Sequence, residues 1–93
     1  MSDGTKTLSA EQQEAFEQIK RLLGEQKVPG AESATPESTW EDLDADSLDL
    51  VELVRALEDE YSIQIEDSEL DGVETVGDAV DMLLRLRSEK APG

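Results

Sequence analysis

The sequence predicts an all-α fold, a small bundle of three main helices plus one short helix, and three observations predict it. Apolar residues recur at helical spacing in three separate stretches. The first and last of these open on reciprocal capping signals, Ser9 with Gln12 and Thr75 with Asp78. Pro29, Gly30 and Pro36 gather between the first two stretches, where a chain must turn. Ninety-three residues suit one domain with a single small core, and neither an internal repeat nor a second domain is evident.

Residues 1–7 are polar, contain Gly4 and have nothing to bury, so a disordered N-terminal end is expected, with the folded domain spanning 8–87. After the Ser9 cap, Leu8, Ala15, Phe16, Ile19, Leu22 and Leu23 share one face of a first helix over about 9–26. Glu17 and Arg21 stand four apart on its wet side in the favourable order. Lys27 to Ser38 lacks a sustained apolar period and reads as a long loop, a length that calls for a reason. Trp40 and Leu43 supply one as apolar anchors across the helix ends, Trp40 being read as core rather than as a ligand-stacking ring.

The second helix is expected from Ser47 to Tyr61. At about 100° per residue, Leu50, Leu53, Val54, Leu57 and Tyr61 form one apolar stripe that must face the core. Leu48 and Val51 project the other way, alongside Asp49, Glu52, Arg55 and Asp59. Two exposed aliphatics ringed by acids suggest a docking surface for a partner with a basic rim, although single exposed apolar residues are also ordinary. Ile63-Gln64-Ile65 is an extended connector, and Asp67 to Leu70 is a single helical turn before Gly72. Val76, Ala79, Val80, Leu83 and Leu84 define the buried face of a last helix to about Arg87, with Asp81 and Arg85 paired on its outer side. Ser88 to Gly93 is expected to be a flexible tail.

Composition narrows the function. The formal net charge is −16, which argues against binding a phosphate backbone and for partners that present basic surfaces. The negative field is concentrated late in the chain, at −8 over residues 41–60 and −7 over 61–84. With no Cys and no His, disulfides, thiolate nucleophiles, zinc sites with N or S ligands and a Ser-His-Asp triad are excluded. No apolar run approaches a membrane span, and Met1-Ser2-Asp3-Gly4 lacks the basic and apolar regions of a signal peptide, so a cytoplasmic protein is expected.

One stretch remains that needs a function, Asp44-Ala45-Asp46-Ser47-Leu48-Asp49. It places a hydroxyl at the start of the second helix, where unpaired N–H groups and the positive end of the macrodipole would tolerate a phosphate ester. By itself the hexapeptide reads first as a cap by Asp46 or Ser47. Asp42, Asp44 and Asp46 alternate as in a calcium-binding loop, but Ser47 stands where that loop needs Gly and Leu53 where it needs Glu, so no specific metal site is expected. An enzyme acting alone is hard to build, since Ser47 has no His, Cys or nearby Lys as its base. An acidic interaction protein without a prosthetic group fits the charge but leaves the Asp-Ser-Leu junction without a purpose.

Trp40-Glu-Asp-Leu-Asp-Ala-Asp-Ser-Leu-Asp-Leu-Val-Glu-Leu-Val through Leu57-Glu-Asp-Glu-Tyr, then Ile63-Gln-Ile and Thr75-Val-Gly-Asp-Ala, resembles the acyl carrier proteins of discrete, type II systems. The resemblance spans about Leu8 to Leu86. It implies that Ser47 is the attachment point of 4′-phosphopantetheine, transferred from coenzyme A by a separate phosphopantetheinyl transferase with magnesium, and that Asp46 supports this modification. It implies a non-catalytic, monomeric carrier of growing acyl chains as thioesters, shuttling them between the acyl-transfer, condensing and modifying enzymes of fatty-acid biosynthesis. Those enzymes would read Leu48, Asp49, Val51, Glu52, Arg55 and Glu58 with basic docking patches, and the acyl chain would shelter in the bundle. Three positions depart from the family pattern: Asp44 replaces the usual glycine, Trp40 a common Phe, and Arg55 an apolar residue of the exposed helix face. Arg55 puts a cation inside the docking surface, which makes a dedicated polyketide or other natural-product pathway the alternative.

Overall fold

The computed structural model describes residues 9–90, with side chains through Ser88, so the expectations for residues 1–7, for Leu8 on the first helix and for residues 91–93 lie outside the described residues. Among the described residues four α-helices follow in order: α1 (Ala10–Glu25), α2 (Ser47–Tyr61), the single turn α3 (Asp67–Leu70) and α4 (Val76–Lys90). The capping box at Ser9 forms as expected, with Ser9 Oγ accepting from the Gln12 N–H at 3.1 Å and Gln12 Oε1 from the Ser9 N–H at 2.9 Å. α2 has the expected bounds. α4 runs through Lys90, so Ser88 to Lys90 continue the helix rather than begin a tail; nothing in Ser88-Glu89-Lys90 breaks a helix, and Ala91-Pro92 is the first stop signal.

The core is aliphatic. Ile19 and Leu23 of α1, Leu53 and Leu57 of α2 and Val76 and Leu83 of α4 are its largest fully buried side chains. Truncating any of the leucines to Ala would cost about 2–5 kcal/mol. α1 packs chiefly on α4, and α2 lies against α1. Phe16 is buried, Trp40 and Tyr61 are half-buried, and Met82 joins the core. No helix among the described residues is long and apolar enough to cross a membrane.

The long loop proves to be structural. Ala31–Ser33 form a 3₁₀ turn, and Val28, Ala31, Ala34 and Leu43 are buried. Trp40 anchors its far end as expected, and its indole Nε1–H donates to the Val73 carbonyl at 3.2 Å. The loop then runs beside the start of α4: Thr39 bridges Thr75, the Val76 N–H donates to Ser38 O at 2.9 Å, and the Gly77 N–H donates to Pro36 O at 2.8 Å. Gly77 permits that approach, because a Cβ there would sit 2.8 Å from the Pro36 oxygen.

Surface pairing departs from expectation at Arg21. Arg21 pairs with Glu25 at 2.8 Å, while Glu17 accepts from the Gln13 amide at 2.8 Å. Both partners of Arg21 lie one turn away on the same face, so spacing alone does not choose between them. Arg85 reaches across to Glu69 and ties α3 to α4.

Candidate functional site

The chain reaches α2 through a tight turn at Asp44, whose φ of 62° is left-handed. That conformation favours glycine, and aspartate is among the few other residues that tolerate it. Asp46 then extends (φ −100°, ψ −175°) and caps the helix. Its Oδ1 accepts from the Asp49 N–H at 3.0 Å, and Asp49 Oδ2 accepts from the Asp46 N–H at 3.2 Å. Of the two candidate caps, Asp46 is therefore the one that acts, through a box whose second member, Asp49, the sequence reading assigned to docking.

Ser47 is left uncommitted by this arrangement. It is the first residue of α2, it is exposed, and its hydroxyl makes no hydrogen bond among the described residues. The N–H groups of Ser47 and Leu48 likewise have no acceptor among the described residues. A hydroxyl beside two open amides at the positive end of a 15-residue helix suits a phosphodiester: the oxygen can carry the ester, and the amides and dipole offset the anion. The neighbouring acids Asp44, Asp46 and Asp49 oppose that charge, so the amides matter more here than at a neutral helix start.

The outer face of α2 is as its projection requires. Leu48 is 64% and Val51 45% exposed, the only large hydrophobic side chains so exposed among the described residues. Glu52 and Arg55 are exposed beside them, and Arg55 makes no ion pair among the described residues although Glu52 and Asp59 lie one turn away. Two of the six expected docking residues have other duties. Asp49 is half-buried in the capping box, and Glu58 is half-buried with its Oε2 accepting from the Ile65 N–H at 2.8 Å, which anchors the connector beyond α2. Both partnerships satisfy backbone donors that would otherwise be orphaned, a demand that a surface projection does not register. Among the described residues no three acidic side chains converge as metal ligands.

The helical bundle thus presents an uncommitted seryl hydroxyl at a helix start beside an exposed apolar and acidic face. The family model described as a phosphopantetheine attachment site matches residues 17–83. An acyl carrier protein of Saccharopolyspora erythraea is 49% identical over 77 residues, covering 82% of this chain and 81% of the relative. One from Picosynechococcus is 47% identical over 72 residues, covering 76% and 89%. The crystal structure of an acyl carrier protein from Thermotoga maritima superposes with a TM-score of 0.80 at 26% identity, covering 91% of this chain and all of that one. The hexanoyl carrier of the actinorhodin polyketide synthase of Streptomyces coelicolor gives 0.71 at 26% identity, covering 81% and 92%. The chain belongs to the acyl carrier protein family, whose members are non-catalytic and carry a covalently attached 4′-phosphopantetheine. This replaces the alternative of an acidic interaction protein without a prosthetic group.

Proposed function

We propose that Ser47 is the attachment point of the 4′-phosphopantetheine arm, and that the protein carries growing acyl chains on it between the enzymes of fatty-acid biosynthesis. The observation that carries this is the exposed, uncommitted hydroxyl at the first position of α2, flanked by the open amides of Ser47 and Leu48. Ser47 Oγ takes the arm from coenzyme A, losing its proton and forming a phosphodiester as adenosine 3′,5′-bisphosphate departs. A separate transferase supplies the base and the magnesium, neither of which this chain provides. Asp46 supports the step as the carboxylate next to the reacting hydroxyl; one oxygen holds the cap at 3.0 Å, and the other makes no hydrogen bond among the described residues. The arm supplies a thiol, so that a protein without cysteine can hold acyl groups as thioesters.

Partner enzymes meet the carrier on Leu48, Val51 and Glu52, aliphatics for contact and acid for steering toward basic patches. Arg55 lies one turn beyond Val51 on this face and favours a second reading, a dedicated polyketide or other natural-product pathway whose enzymes accommodate a cation there. Intact mass after incubation with coenzyme A, magnesium and a broad-specificity transferase tests the attachment. A single added arm on the wild type and none on Ser47→Ala is expected; an arm on the variant, or none on folded wild type, would overturn the reading.

A further inference from the structure

The last residue before the long loop is Gln26, whose backbone closes α1. Lys27 follows in the left-handed region (φ 65°), its N–H donating to Gly24 O and the Val28 N–H to Leu23 O, both at 3.0 Å. This paired closure holds the Gln26 backbone from both sides. Hydrogen-bond partners orient the carboxamide. With its oxygen and nitrogen assigned from those partners, Nε2 donates to the Asp49 carbonyl at 3.0 Å and Oε1 accepts from the Leu53 N–H at 3.1 Å.

Asp49 and Leu53 are four residues apart, so they are the acceptor and donor of one rung of the α2 ladder. One neutral side chain of α1 therefore grips both ends of that rung. Donor and acceptor at one planar terminus are what the task needs: Lys could not accept from Leu53, and an ionised Glu could not donate to Asp49. The rung also adjoins the capping box. Asp49 is bonded through its own N–H and carboxylate to Asp46, so a continuous chain of hydrogen bonds runs from the end of α1 to the residue preceding Ser47.

The position of this grip matters because apolar packing starts late in α2. The buried side chains of the helix begin at Leu53, while Ser47, Leu48, Val51 and Glu52 are exposed and Leu50 is only half-buried. The first turn and a half is thus oriented more by polar bonds than by the core. A side chain that meets a helix rung is also a place where helices bend.

We propose that Gln26 is a positioning residue for Ser47: its carboxamide holds the first turn and a half of α2 in the orientation in which the arm-attaching enzyme meets the hydroxyl. The inference rests on Ser47 being the attachment point. Gln26→Met keeps the length of the side chain and removes both bonds. Losing them lowers the fraction of carrier in the competent orientation, so the KM of the transferase for the carrier rises by about fivefold while kcat holds.

The test measures kcat and KM of arm transfer from coenzyme A, with magnesium and a broad-specificity transferase, at a temperature where every variant is folded. Val80→Ala, in the buried face of α4, serves as a control for loss of stability alone. Hydrogen exchange at the Leu53 amide is followed in parallel. Expected are a raised KM and faster Leu53 exchange in Gln26→Met, with KM unchanged in Val80→Ala. An unchanged KM in Gln26→Met, or an equal rise in Val80→Ala, would overturn the inference while leaving the attachment site intact. Failure of the wild type to accept the arm would instead overturn the attachment reading itself.

Discussion

The starts of α2 and α4 are built from the same local chemistry and end in opposite states. Each has a reciprocal side-chain box, Asp46 with Asp49 in one and Thr75 with Asp78 in the other. At α4 the next two amides are consumed, Val76 by Ser38 O and Gly77 by Pro36 O. At α2 the equivalent amides of Ser47 and Leu48 have no acceptor among the described residues. A helix start buried under a loop is a structural joint, whereas one left open beside a hydroxyl can receive an anion. Capping motifs alone do not distinguish the two; the difference lies in whether another segment arrives to use the amides.

Five changes test that contrast, and the largest effect belongs to the closed joint. Gly77→Ala drives a Cβ to 2.8 Å from the Pro36 oxygen. Urea unfolding should show a loss of about 1–3 kcal/mol, with arm uptake retained in the folded fraction. Loss of uptake at full stability would show that the start of α4 is not merely structural.

The caps themselves separate next. Asp78 Oδ2 accepts from both the Glu74 N–H at 3.0 Å and the Thr75 N–H at 3.2 Å, so Asp78→Ala should cost about 1–2 kcal/mol. Asp46→Ser keeps a competent cap and should change stability by less than about 0.5 kcal/mol. It should nevertheless lower kcat/KM for arm transfer, because the carboxylate beside Ser47 is gone. If both substitutions acted on stability alone, the two helix starts would be equivalent.

Asp44→Gly relieves a left-handed residue at the entrance to α2 (φ 62°) and should raise stability by roughly 0.5–1 kcal/mol, read as a higher Tm. Removing one acid beside the open amides should not reduce arm uptake.

The smallest effect is at the far end of α2, which is tied to α4 where its start is free. Tyr61 is half-buried with the Arg87 guanidinium 4.8 Å from its ring centroid. Burial raises its phenol pKa above the ordinary 10.0, partly offset by Arg87 and reinforced by Glu60 and Glu14. The unfolded chain thus ionises first. The associated stability is complete below pH 10.0 and is lost as pH rises through the higher folded value. Tyr61→Phe should leave stability at pH 7 nearly unchanged and flatten the alkaline limb of the unfolding curve. An unchanged limb would place the alkaline titration elsewhere.

The features legible in the sequence were those governed by neighbours three or four residues apart. The bounds of α2, the buried stripe through Leu53, Val54 and Leu57, the exposure of Leu48 and Val51, and the single turn at Asp67 all follow from such spacing. So does the candidate role of Ser47, once a helix start is recognised there. Less legible were side chains whose partners lie elsewhere. Glu58 read as a surface acid and is instead spent on the Ile65 amide; Gln26 read as the end of a helix and instead bridges to α2. Arg21 had acids at two equivalent helical positions, and its sequence does not say which it takes.

The amino-acid order by itself determined the helices, their apolar faces and the position of the seryl hydroxyl at a helix start, because each is a short-range consequence of backbone geometry, solvation and residue type. Only the tertiary structure decided which helix start stays open. That outcome depends on the Pro36 and Ser38 carbonyls reaching α4 from the far side of a long loop. Backbone donors must find acceptors wherever the packed chain brings them, and the packing of the bundle brought none to Ser47 and Leu48 among the described residues.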